Sequence, residues 1–103
     1  MNSFSKVEIQ GIVGRSSVVQ VKGKPSLNMA VSTSTIYKET DIPCVTITWI
    51  PVICYSTEVF PKTGDEVHII GSLISRKFVL SDGHETTQLY VEATQIDILN
   101  TKE

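Results

Sequence analysis

A chain of 103 residues has the size of one domain and supports a single core without metal or disulfide staples. Apolar residues make up 41% and charged residues 19%, ordinary for a globular protein, and no apolar run reaches the ~20 residues a membrane helix needs. The formal net charge of −2 excludes a uniformly basic nucleic-acid binder, so any phosphate chain must meet positive charge gathered on one face.

The opening Met1-Asn2-Ser3-Phe4-Ser5-Lys6 lacks the apolar stretch of a secretory signal, and a cytoplasmic location is expected. Residues 6–15 set Val7, Ile9, Gly11 and Val13 against Glu8, Gln10, Ile12 and Gly14, a first strand whose glycines allow a bend or close backbone approach. Residues 16–21 continue in β-prone types, after a bulge that turns the strand into a second sheet. Lys22-Gly23-Lys24-Pro25 reads as a tight turn. Residues 26–37 form a second strand with Leu27, Met29 and Val31 on its apolar face and Tyr37 at its end, followed by a loop over 38–44.

Residues 45–55 are rich in β-branched types and predict a third strand. Side chains alternate, so Trp49 and Tyr55 share one face, about 20 Å apart at ~3.3 Å per residue, while Ile50, Val52 and Cys54 share the other. Two readings of the rings are open here: core packing, or a platform on which bases stack. Pro51 removes one ladder donor and argues for a bulge or an unpaired edge.

Residues 56–62 leave room for one helical turn, capped by Ser56 or Thr57 and stopped by Pro61. A turn at Thr63-Gly64-Asp65 precedes a fourth strand over 66–78, with Val67, Ile69 and Leu73 against His68, Ile70, Ile74, Arg76 and Phe78. Ser81-Asp82-Gly83-His84 is a hairpin signal, a fifth strand follows over 86–99, and 100–103 is a short end. One domain spans 1–103, with its barrel at about 6–99. Five strands with a short helical turn between the third and fourth predict an all-β, five-stranded Greek-key barrel, of which the OB-fold is the commonest form.

Cys44, Cys54, His68 and His84 lack metal-ligand spacing, so no metal site is expected and both thiols are expected free. No nucleophile motif, glycine-rich dinucleotide loop or Walker loop is present, and neither catalysis nor a cofactor is expected.

From residue 6 to 99 the chain resembles the bacterial single-stranded DNA-binding proteins. Lys6-Val7-Glu8-Ile9-Gln10-Gly11 looks like the family's opening Lys-Val-x-Leu-x-Gly. Thr46-Ile47-Thr48-Trp49 with Val52-Ile53 is similar to its Thr-Glu-Trp-x-x-Val-Val strand. Val67 to Gly71, followed by Ser75-Arg76-Lys77-Phe78, looks like its Val-x-x-x-Gly-x-Leu-x-x-Arg-x-aromatic strand, and Thr86-Thr87 like the opening of its last strand. The resemblance implies base stacking on Tyr37, Trp49, Tyr55 and Phe78, and it favours the platform for Trp49. Phe4, Phe60 and Tyr90 are left as packing residues. Phosphate contacts fall to Arg76, Lys77, Lys38, Lys22, Lys24 and Arg15.

The resemblance further implies single-stranded DNA as partner, in replication, recombination or repair, and a homo-oligomer, a tetramer before a dimer, with no membrane. Ile50-Pro51 replaces a polar, often basic pair, the 55–64 segment is shorter than usual, and the last hairpin is short. The sequence ends at Lys102-Glu103 without the family's acidic tail, so recruitment of repair enzymes through a tail is not expected. An alternative is the primosomal replication protein, a dimeric OB domain that bridges replication factors and whose ending Ala93-Thr94-Gln95-Ile96-Asp97-Ile98 resembles. Four stacking rings favour the DNA binder, since bridging needs none.

Overall fold

The computed structural model describes residues 5–37, 44–55 and 57–101, and of residues 21, 35–37 and 44 the backbone alone. Five strands follow in order: β1 (Val7–Val21), β2 (Lys24–Tyr37), β3 (Cys44–Tyr55), β4 (Glu66–Val79) and β5 (Glu85–Asn100). They close into a barrel in the order β1-β2-β3-β5-β4. Every neighbouring pair is antiparallel except β3 and β5, which run parallel over Val52↔Val91 and Ile53↔Glu92.

A bulge lets one strand serve two partners. Residues before Val13 pair with β4, from Val7↔Gly71 to Ile12↔Glu66. Past the bulge, where Gly14 is the extra residue between Val13↔Val31 and Arg15↔Ala30, the strand runs on along β2 to Val21↔Lys24. Gly11 is required there, because a Cβ on it would overlap the Ser32 carbonyl. The period of two then fills the barrel: Val13, Leu27, Met29, Val31, Val52, Cys54, Val67, Ile69, Val91, Ala93 and Ile96 form the core.

Four expectations change. Among the described residues there is no helical turn between β3 and β4. Instead the Val59 amide donates to Thr57 Oγ1 at 3.0 Å, a local side-chain turn that offers the backbone an alternative to helix. The segment stays extended, so Val59 packs toward the core, Pro61 is fully buried, and Phe60 between them turns out and is 45% exposed rather than packed. Leu73 is likewise exposed, since β4 has by then left the barrel for the projecting hairpin. Ser56 and Phe4 lie outside the described residues.

The first turn is shorter than Lys22 to Pro25. Lys22 and Gly23 both take positive φ, 52° and 76°, the signature of a two-residue hairpin turn. Lys24 and Pro25 already belong to β2, and Pro25 is tolerated because β3 pairing begins only at Ser26↔Tyr55. Pro51 sits opposite Ala30 in an unbroken β2–β3 register, one residue before the pairing with β5, so the edge and not a bulge accommodates it. At the far hairpin Leu80 N donates to His84 O at 2.8 Å, and Gly83 has φ of 89°. His84 bonds the Asp82 carboxylate through its ring and its amide and holds that carboxyl below the usual range.

Candidate nucleic-acid interface

Paired residues share a face, so the register of β1, β2 and β3 arranges the outer wall in rows. Arg15, Ala30 and Pro51 make one row, Ser17, Asn28 and Ile53 the next, and Val19, Ser26 and Tyr55 the third. Trp49 lies one row further, opposite Ser32. Trp49 is 57% exposed and Tyr55 is 40% exposed, which takes Trp49 out of the core. Its ring rests on Gly14: a Cβ there would overlap Trp49 Cζ3 and Cη2, so the bulge glycine makes the seat for the indole.

The β4–β5 hairpin supplies the opposing wall. Ile74↔Tyr90, Arg76↔Gln88 and Phe78↔Thr86 stand on one face, and a groove of about 550 Å³ lies between that face and the rows. Arg15, Asn28, Pro51, Arg76, Phe78, Gln88 and Tyr90 are among its lining residues. A smaller hollow of about 150 Å³ shares Asn28, Ile53 and Arg76 with it and extends the groove to Tyr55. Arg76 ties the walls together. Its guanidinium lies 5.2 Å from the Tyr90 ring centroid, and Nη2 donates to Tyr55 Oη.

The proposed site residues separate as follows. Phe78, Arg76 and Arg15 line the groove and Tyr55 its extension, while Trp49 lines neither and stands on the same outer face one row beyond Pro51. Lys24 is exposed, alternates onto the face of Ser26 and Asn28, and lies just beyond Tyr55. Lys22 is exposed in the turn beside it. Lys77 pairs with Thr87 and alternates to the opposite face of the hairpin from Arg76 and Phe78. The Tyr37 side chain and Lys38 lie outside the described residues. Ser17, Asn28 and Gln88 were not singled out from sequence, because they carry no charge or large ring and meet only through long-range pairing, whereas Gly14 already read as a place for a bend or close backbone approach.

Charge is divided between the two walls. Among the described residues no Asp or Glu lines the groove. The wall of β1, β4 and β5 instead carries Glu8 at 3.1 Å and Asp97 at 4.0 Å from His68, and Glu66 bonded by Asn100. The net charge of −2 thus coexists with a groove whose charged lining residues, among those described, are the cations Arg15 and Arg76. Among the described residues no cluster of His, Cys, Asp and Glu fits a metal ion. No helix is long and apolar enough to cross a membrane. Tyr90 is buried, as a packing residue should be, yet it also lines the groove.

A five-stranded barrel closed in this order, with an open groove across β2 and β3, is an OB-fold. Among solved structures, the chain is similar to the Plasmodium falciparum SSB in complex with single-stranded DNA, with a TM-score of 0.87 and 16% identity over 97% of this chain and 98% of that one. It is also similar to the small single-stranded DNA-binding protein of Streptomyces coelicolor, with a TM-score of 0.70 and 19% identity over 95% of each chain. No protein-family model and no curated protein sequence matches the chain.

Proposed function

We propose that this protein binds single-stranded DNA of no fixed sequence, by stacking bases on exposed rings beside a cationic groove. The observation that carries the reading is Tyr55 and Phe78 standing exposed along one groove with Arg15 and Arg76, with Trp49 exposed on the same outer face one row beyond and no carboxylate among the described lining residues. Rings placed so meet unpaired bases, while the bases of a duplex are already stacked on one another. The likeness in fold to two single-stranded DNA-binding proteins supports the same reading. Action as a homo-oligomer in the cytoplasm, in replication, recombination or repair, belongs to this proposal. Trp49 is the only Trp and reports on the platform directly. Titration with poly-dT is expected to quench its fluorescence at far lower concentration than a hairpin duplex of equal length. Equal affinity for the two would overturn the proposal.

A further inference from the structure

We propose that the Tyr55 hydroxyl is a positioning group for the nucleic acid: it holds the Arg76 guanidinium across the groove, and with it the projecting hairpin, in the geometry that receives a strand. This rests on the single-strand reading above and gives Tyr55 a second role. Its ring stacks, while its hydroxyl acts through Arg76.

The hairpin is short of other ties. Its pairing with β1 ends at Val7↔Gly71, beside the register shift between Ile70 and Gly71, and β5 meets β3 only at Val91 and Glu92. Beyond those points β4 and β5 pair with each other alone, out to Val79↔Glu85. Two bonds hold the root: Ser72 Oγ donates to the Ser5 carbonyl at 3.3 Å, and the Leu73 amide donates to Ser5 Oγ at 3.2 Å. Further out, among the described residues, the bond from Arg76 Nη2 to Tyr55 Oη is the only hydrogen bond or ion pair joining the hairpin to another strand.

Arg76 is fixed from both walls. Its cross-strand partner is Gln88, so Tyr90, the next residue on that face, is its diagonal neighbour, and the guanidinium lies 5.2 Å from the Tyr90 ring centroid. Tyr55 takes the tip from the opposite wall, in the row of Val19 and Ser26. Arg76 lines both the groove and its extension, so the bond stands where the two meet. A guanidinium carries several N–H donors in one rigid plane, and one used on Tyr55 leaves the rest for a phosphate at that junction. Donor and wall are then ordered before the strand arrives, which lowers the entropy lost on binding.

Tyr55→Phe removes one oxygen and keeps the ring and every charge. In poly-dT titrations followed by Trp49 fluorescence it is expected to weaken binding about fivefold, the scale of one hydrogen bond. The slope of log affinity against log salt should stay as it was. Arg76→Met removes the donor and the charge, and is expected to weaken binding and make that slope shallower by about 0.7. In the Arg76→Met background, Tyr55→Phe is expected to change affinity by less than about twofold, because the bond is already gone. In the free protein, Tyr55→Phe should speed exchange of the amides that bond across β4 and β5 between Ser75 and Leu89, with Val67 and Ile69 unchanged. No loss of affinity on Tyr55→Phe, an equal loss in both backgrounds, or unaltered hairpin exchange overturns the inference while sparing the function. Failure of the unsubstituted protein to bind poly-dT overturns both.

Discussion

Trp49 and Gly14 act as one unit at the residue scale. Trp49→Ala is expected to weaken single-stranded DNA binding by about 1–3 kcal/mol, the range for one stacked base in OB-folds of this kind. Because the ring is 57% exposed, its melting temperature should fall far less than the ~3–5 kcal/mol cost of truncating a core aromatic implies. Gly14→Ala pushes a methyl into the indole and is expected to shift Trp49 emission and weaken binding in the same direction, with the fold retained. Affinity and melting curves on the same samples check both. Cys54 behaves differently. Burial raises its thiol pKa, the hydrogen bond with Thr57 opposes that, and the charge of Glu92 adds to it. The unfolded chain therefore loses this proton first. The contribution to stability is full below the ordinary thiol range of about 8.5 and is lost as pH rises through it toward the folded value. Denaturation between pH 7 and 10 should show that slope, and Cys54→Ala should remove it.

The elements show what a single sequence reveals. Period-two alternation gave the inner faces of β2 and β3, and Leu27, Met29, Val31, Val52 and Cys54 are all buried. Asp-Gly gave the far hairpin. Ser56, Thr57 and Pro61 offer the same cues for a helix start as for a side-chain turn, and which one wins depends on Pro61 finding a buried place beneath β1, where Ser16 Oγ donates to its carbonyl at 2.7 Å. Phe60 follows from that. Phe60→Ser is expected to cost under 1 kcal/mol in urea denaturation, whereas Gly71→Ala, which drives a Cβ into the Glu92 carbonyl, is expected to destabilise clearly. The groove was the least legible part. Its small polar liners come from β1, β2 and β5, and only the bulge and the register bring Ser17, Asn28 and Gln88 to one place.

For the whole molecule, Arg15, Arg76 and Lys24 are the cations on or beside the groove among the described residues, Lys22 lies further out in the turn, and Lys77 faces away. At ~0.7 counterions per neutralised phosphate, log affinity should fall against log salt with a slope of about −2 per chain. A much steeper slope in poly-dT titrations would show that charge, not stacking, dominates. The barrel itself has one short seam. β4 and β5 are paired along their length, but β3 meets β5 only at Val52↔Val91 and Ile53↔Glu92, and the groove lies across that seam, with Pro51 and Ile53 on one side and Gln88 and Tyr90 on the other. So short a zip is where the cylinder should unlatch first, well below the free energy of global unfolding. A strand of nucleic acid laid over it touches both lips and works as a clasp. Whichever of the Val52 and Ile53 amide hydrogens bonds across to β5 should therefore exchange faster than those of Val67 and Ile69 in the free protein, and slow more than theirs once oligo-dT is bound, a gain that grows with ligand concentration.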